Sequence, residues 1–80
     1  LHMPDAKEVA IAGDFNDWEP LKGVMRQKNG DWDVTMSLKP GQYQYMFLVD
    51  ENQWLPDPAS DYSVPSPFGG NNSIITVRKV

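Results

Sequence analysis

Apolar and polar residues alternate along much of this chain, most clearly over residues 43–50 (Tyr-Gln-Tyr-Met-Phe-Leu-Val-Asp). A period of two is that of a β-strand, and apolar residues on both faces predict a central strand of a sheet. Residues 50–53 are turn formers, and Trp54 follows them directly. Pro56 and Pro58 exclude a regular central strand beyond Trp54. The segment therefore predicts a rigid strand that delivers a large aromatic side chain to a loop-bounded surface.

Shorter stretches of the same alternation predict further strands on either side. Residues 7–12 favour a first strand, an Asn-Gly pair at 29–30 predicts a two-residue turn, and residues 32–38 alternate again. Prolines and polar residues predict a long irregular connection over residues 57–71, before a last strand at 73–80. No stretch has a helical period of useful length. Short strands with frequent turns favour an all-β fold, an antiparallel β-sandwich.

Length and charge limit the classes of function that are possible. Eighty residues make one domain with a modest core, and the absence of cysteine excludes disulfides and fits a cytoplasmic location. The net charge of −4 argues against nucleic acid and anionic membranes as partners. No apolar run has transmembrane length, and no signal-peptide pattern is found. We expect residues 1–6 to be disordered or cloning-derived, and residues 7–80 to form the domain.

Catalytic and metal-binding patterns are missing from the sequence. Glycoside hydrolysis needs two carboxylates that face each other, whereas the acidic residues here fall in turns or on outer strand positions. His2, the only histidine, stands near the start of the chain. Residues 14–17 (Asp-Phe-Asn-Asp) are similar to the start of a calcium loop but lack its glycine and distal glutamate. The sequence therefore predicts no enzyme activity, no catalytic residue, no metal and no cofactor.

Two of the three tryptophans are candidates for sugar binding. A pyranose ring presents a face of C–H groups that an aromatic ring can cover. Trp18 and Trp54 follow turn-forming residues and stand outside the alternating runs, so either can stack on a sugar or can cap the core with its N–H on a backbone carbonyl. Trp32 begins an alternating apolar face, which predicts a place in the core.

Candidate polar partners stand near the end of the long connection. Asn71 and Asn72 each offer one acceptor and two donors, which suits vicinal hydroxyls, although both also suit a turn after Gly69 and Gly70. Phe68, beside these glycines, is expected to be an exposed contact residue.

Four blocks in register give the chain a family resemblance: residues 13–18 (Gly-Asp-Phe-Asn-Asp-Trp), residues 43–50, Trp54 with an Asp-Pro pair at 57–58, and residues 71–75 (Asn-Asn-Ser-Ile-Ile). They resemble the glycogen-binding domain of the AMP-activated protein kinase β subunit and, more broadly, the carbohydrate-binding modules of family 48. The resemblance implies an immunoglobulin-like antiparallel β-sandwich of the early-set type. It also implies a non-catalytic module that binds α-1,4-linked glucans such as glycogen, starch and maltooligosaccharides.

The same resemblance implies roles for individual residues. Trp18 and Trp54 stand at the positions of the family's two sugar-stacking tryptophans. Asn72 stands at the position of an asparagine that bonds glucose hydroxyls, and Phe68 at that of a leucine that inserts into the curved glucan.

Two positions depart from the family pattern. Met46 replaces a lysine that donates to the sugar, and Gly70 replaces a threonine that carries a hydroxyl. These differences leave open a protein–protein interaction module that has lost sugar binding. An accessory domain of a larger α-glucan-active enzyme is a separate alternative. Other domains of a longer parent protein are further possible partners.

Overall fold

A computed structural model describes residues 1–60, 62–67 and 70–78. That part of the chain is all-β and antiparallel, as predicted, and contains two single-turn 3-10 helices, Asp14–Asn16 and Pro20–Lys22. Its strands are β1 (Val9–Gly13), β2 (Arg26–Lys28), β3 (Asp31–Asp33), β4 (Gly41–Val49), β5 (Gln53–Leu55), β6 (Ser63–Pro65) and β7 (Asn71–Val77).

β4 is the central strand that its sequence pattern predicts. One edge of β4 pairs with β1, over Tyr45 to Val49. Along the other edge, β7 pairs with the first half of β4 and β5 pairs with its last three residues. Met46 stands between these two pairings, where β7 gives way to β5. This arrangement brings two distant parts of the chain together beside the middle of β4.

The core lies between this five-stranded sheet and the two-stranded sheet of β2 and β3. Alternate residues of β4 point into it, and Tyr45, Phe47 and Val49 are all buried. Trp32 contributes from β3, where 7% of its surface is exposed and its Nε1 donates a 2.9 Å hydrogen bond to the Met3 carbonyl. The prediction that Trp32 belongs to the core is confirmed.

The first residues of the chain lie against the core in the structure. The backbone of Leu1 exchanges hydrogen bonds with that of Trp32, at 2.7 and 3.1 Å. Leu1, Met3 and Ala6 also pack against the core cluster. Because this sandwich is small, these apolar side chains cover core surface that its short strands leave open.

Two strands have bounds that differ from the pattern. β3 ends at Asp33, although residues 34–38 still alternate between half-buried and exposed positions. One face of residues 34–38 is therefore partly buried although this segment does not continue the pairing of β3 with β2. β6 lies within the connection expected to be irregular, and pairs with β7 over three residues.

Candidate functional site

The outer face of β4 is the floor of a groove. Since side chains alternate along a strand, Gln44 and Met46 point away from the core that Tyr45 faces. Leu48 is paired with Trp54 of β5, so the Trp54 indole lies on this same outer face. Trp54 is 45% exposed. The sequence context of Trp54 indicated only a position after a turn. Its pairing with Leu48 places it in strand β5.

Asn72 reaches the same face from β7. Its neighbour Ser73 points inward, where its hydroxyl accepts a 2.7 Å hydrogen bond from the Asp57 amide. The Asn72 side chain is buried, with 6% of its surface exposed, and its Nδ2 donates to Gln44 Oε1 at 3.2 Å. This contact orients the amide at the groove floor.

Trp18 belongs to a tight loop that follows β1. The Asn16 side chain closes the loop by accepting from the Gly13 amide at 3.0 Å and donating to the Ile11 carbonyl at 3.0 Å. The Trp18 amide donates to the Gly13 carbonyl at 2.9 Å. These local bonds fold the loop back and hold the backbone of Trp18 close to the end of β1.

The backbone of Trp18 is strained. Its φ is 58° and that of Asp17 is 57°, so two consecutive residues with side chains adopt the left-handed conformation. Each such residue costs about 1–2 kcal/mol and persists only where surrounding contacts hold it. Trp18 has such a contact, since its Nε1 donates to Asp14 Oδ1 at 3.0 Å. Strain of this kind is concentrated at functional sites.

Both tryptophans line one groove of about 570 Å³, within the range of ordinary ligand sites. We call it the outer groove; its described lining residues are Asp14, Trp18, Gln44, Met46, Trp54, Ser66, Pro67 and Asn72. Trp18 is half-buried and Trp54 is 45% exposed, so neither of the two indoles in the outer groove is enclosed in the core. Of the described lining residues, Asp14 alone carries a charge. Aromatic faces, neutral amides and a thioether suit an uncharged ligand that has an apolar face and a polar rim.

The structure brings together four of the six site residues predicted from the sequence: Trp18, Met46, Trp54 and Asn72. Gly70 is exposed and is not among the described residues that line the outer groove. Its φ is +68°, a conformation that strains a β-branched residue, which gives a physical reason for glycine at this position. Phe68 lies outside the described residues.

Sequence reasoning missed three polar members of the groove, which are Asp14, Gln44 and Ser66. Gln44 stands in the alternating run of β4, where its polar outer position had no assigned role. Asp14 belongs to the block at residues 13–18 but was not named as a site residue. Its partners include Gln44, which is 30 residues further along the chain. A contact of such sequence separation leaves no local periodic signal.

Two further kinds of site have no support in the described ranges. Within residues 1–60, 62–67 and 70–78, no three His, Cys, Asp or Glu side chains are grouped to hold a metal ion. No helix in the same ranges combines the length and hydropathy needed to cross a membrane.

Comparison with known families identifies the class of protein as a carbohydrate-binding β-sandwich domain. The family model that matches is described as the glycogen recognition site of AMP-activated protein kinase, and it matches residues 2–80. The match covers nearly the whole chain, and the chain belongs to this family.

Curated relatives agree with the family match. The chain is 40% identical over 73 residues to the 5'-AMP-activated protein kinase subunit beta-1 of Sus scrofa. This alignment covers 91% of this chain and 57% of the relative. It is 40% identical over 73 residues to subunit beta-2 of Homo sapiens and 41% identical over 73 residues to subunit beta-1 of Mus musculus. Each of these two alignments covers 91% of this chain and 26% of the relative. The chain thus spans between about a quarter and three fifths of the length of these relatives.

Proposed function

We propose that this domain binds α-1,4-linked glucans in the outer groove without catalysing a reaction on them. Trp18 and Trp54 stack on the C–H faces of glucose units, and Asn72 bonds to their hydroxyl rim. The observation that carries the proposal is that both indoles line the same groove, with the oriented Asn72 amide on its floor.

The composition of the groove supports a neutral sugar chain as its ligand. Each aromatic contact of this kind adds about 0.5–1.5 kcal/mol beyond area burial. Two such contacts and a few amide hydrogen bonds offset the cost of association only in part, so we expect a Kd between about 1 µM and 1 mM. A weak site is sufficient for a polymer with many repeats, because rebinding raises the effective concentration.

In this proposal Met46 packs its thioether against a sugar in place of a charged donor. A methionine side chain is flexible and polarisable, so it adapts to an irregular apolar face. The loss of a donor costs affinity without changing which face of the sugar is covered. Phe68 is proposed as a further apolar contact from the connection that precedes β7.

The proposal extends to the longer protein that the relatives suggest. Those relatives are named as subunits of 5'-AMP-activated protein kinase, and this chain matches one part of each. We propose that the domain belongs to a comparable multi-domain protein and concentrates it on α-glucan. Other domains or subunits of that protein are its expected partners.

Isothermal titration of the purified chain with maltoheptaose, and separately with β-cyclodextrin, tests the glucan assignment. We expect saturable heat for both ligands and none for cellohexaose, whose β-1,4 linkages make an extended chain. Trp18→Ala and Trp54→Ala should each weaken binding by about tenfold or more. Tyr62→Ala is the matched control, since this ring is 71% exposed and is not among the described groove residues. Absence of heat at millimolar maltoheptaose, or wild-type affinity in both tryptophan variants, contradicts the proposal.

A further inference from the structure

We propose that Asp14 is the positioning residue of the glucan site, holding the Trp18 indole against β4 through both of its carboxylate oxygens. This inference rests on the proposed function, since it takes Trp18 as a stacking residue. Asp14 acts on the ligand through Trp18 and needs no contact with the sugar.

Each oxygen of the Asp14 carboxylate has its own partner. Oδ1 accepts from Trp18 Nε1 at 3.0 Å, and Oδ2 accepts from the backbone amide of Gln44 at 2.9 Å. The first bond belongs to the loop that follows β1, and the second belongs to the central strand. One side chain therefore bridges the element that carries the indole and the element that forms the groove floor.

The place of Asp14 at the end of β1 explains the second bond. β1 pairs with β4 up to Gly13, which stands opposite Tyr45. The next residue of β4 in this direction is Gln44, where the ladder with β1 has ended. Asp14 supplies the acceptor for the Gln44 amide through its side chain, so a backbone donor at the end of the ladder is satisfied. The carboxylate is held there by the strand register and not by the loop alone.

Gln44 extends the connection across the groove. Its backbone amide donates to Asp14 and its side-chain Oε1 accepts from Asn72 Nδ2 at 3.2 Å. A continuous path of hydrogen bonds thus runs from Trp18 through Asp14 and Gln44 to Asn72. Asp14 acts at the Trp18 end of this path, whereas the Asn72 amide at the other end is oriented by the Gln44 side chain.

A fixed indole favours binding for two physical reasons. A ring held in one orientation loses less conformational entropy when a sugar stacks on it. Trp18 also adopts a strained left-handed backbone at φ 58°, which the surrounding contacts must maintain. Removal of the Asp14 acceptor frees the indole N–H and weakens that restraint, so the ring samples orientations that do not stack.

A purely structural role for Asp14 makes different predictions, and a double-mutant cycle separates the two. If Asp14 acts through Trp18, Asp14→Ala weakens maltoheptaose binding roughly three- to tenfold in the wild-type background. The same change then has little further effect in a Trp18→Ala background, because the ring that it positions is gone. Equal losses in the two backgrounds overturn the proposal.

The spectroscopic readout is the indole N–H signal of Trp18 in a ¹H–¹⁵N correlation spectrum of the whole chain, assigned by its loss in Trp18→Ala. Asp14→Ala should shift this signal and speed its exchange with water, while the Trp32 signal is unchanged. Asp14→Asn keeps one acceptor for the indole and should fall between wild type and Asp14→Ala. It also serves as the test variant if Asp14→Ala does not fold. An unchanged Trp18 signal in the variant tested overturns the proposal.

Asp17→Asn is the matched control for charge. It removes a carboxylate from the same loop, and asparagine tolerates the left-handed backbone at this position. Asp17 has no hydrogen bond to Trp18 among the described contacts, and its oxygen lies 3.8 Å from Lys22 Nζ. Wild-type affinity and an unchanged Trp18 signal are expected in this variant. If the wild-type chain binds no glucan, the proposed function falls, whereas the Trp18 signal still decides whether Asp14 positions the ring.

Discussion

The Tyr45 hydroxyl donates a 2.6 Å hydrogen bond to the Asp57 carboxylate, which ties the inner face of β4 to the segment that follows β5. The other Asp57 oxygen accepts from the Ala59 amide at 2.8 Å, and the Asp57 amide donates to Ser73 Oγ at 2.7 Å. One aspartate therefore connects β4, the start of the long connection and β7. This network lies on the opposite face of the sheet from the outer groove.

Tyr45→Phe should destabilise the fold while leaving the binding site intact. The substitution keeps the ring in the core but leaves the half-buried Asp57 carboxylate without its hydroxyl donor, at a cost of about 2 kcal/mol. Urea unfolding followed by fluorescence measures the change. Tyr43→Phe is the control, because its hydroxyl donates to a backbone carbonyl at an exposed position, and its loss should cost less than about 1 kcal/mol. Equal losses in the two variants, or loss of maltoheptaose binding in Tyr45→Phe, would contradict this account.

The same tyrosine predicts a loss of stability at alkaline pH. Burial, and then the hydrogen bond to Asp57, raise the pKa of Tyr45 above its ordinary value of 10.0. The folded state therefore favours the protonated hydroxyl. Its contribution is fully present below pH 10.0 and declines above it, as Tyr45 in the unfolded chain ionises first. Unfolding free energies measured from pH 8 to 11 should fall less steeply for Tyr45→Phe than for wild type; parallel slopes would count against this assignment.

Asp50 predicts a loss of stability at acid pH. Its Oδ1 accepts from the amides of Glu8 and Lys7, at 2.9 and 2.8 Å, and these bonds lower the pKa of its carboxyl below the usual 3.8. The carboxylate therefore favours the folded state above that value, and the stabilisation is lost as the pH falls through the lowered pKa. Thermal melts between pH 7 and pH 2.5 measure this dependence.

Asp50→Asn is the informative variant for that experiment. Asparagine keeps an acceptor and tolerates the positive φ of 52° at this turn, but it does not titrate. The acid-induced drop in Tm should be smaller than in wild type. An identical drop would assign the acid sensitivity to other carboxylates.

The long alternating run made β4 predictable from the sequence. Residues 43–50 alternate without interruption, so the strand, its central place and the faces of its side chains all follow from one period. The Asn29-Gly30 turn was equally readable, since both residues have positive φ in the structure. Short strands gave weaker signals. β6 has three residues, including Pro65, in a stretch dominated by turn formers, and only its pairing with β7 makes it a strand.

The site was predictable from the sequence only at positions where a single residue has a clear local signal. Trp18 and Trp54 stand out because large rings follow turn formers, and the structure brings both to one groove. The groove itself depends on β7 and β5 sharing one edge of β4, which no local pattern encodes. For the same reason, the bridging role of Asp14 emerges only once Gln44 is seen beside it.

Gly13 predicts an intolerance to side chains where β1 meets the loop. Its φ of −171° is extended, so the constraint is space and not backbone conformation. A Cβ at this position would lie 2.5 Å from the Gln44 carbonyl oxygen and 2.8 Å from Tyr45 Cβ. Gly13→Ala must push β1 away from β4, at a cost of about 1–3 kcal/mol. Gly70→Ala is the comparison, since its Cβ would meet no atom of the described residues within 4 Å and its unfavourable feature is the positive φ. A smaller loss in Gly13→Ala than in Gly70→Ala, measured by urea unfolding, would contradict the steric argument.

Met46 offers a gain-of-function test of the outer groove. The side chain points from the middle of β4 into the groove, at a half-buried position where no cation is found among the described lining residues. Met46→Lys adds a charged donor beside the proposed sugar position, and a hydrogen bond of that kind is worth about 1.5–3 kcal/mol at most after desolvation. We therefore expect maltoheptaose to bind about ten- to a hundredfold more tightly. Because the sugar is neutral, the gain should change little between low and high salt.

Gln42→Lys is the matched control for that gain. Gln42 is exposed on the same face of β4, and it lies four residues before Met46, further from Trp54. It is not among the described groove residues. The same charge there should leave maltoheptaose affinity at the wild-type value. If both lysine variants bind equally well, the effect is a general one of charge and Met46 is not beside the sugar. If Met46→Lys binds no better than wild type while its Tm is unchanged, the glucan does not approach the middle of β4.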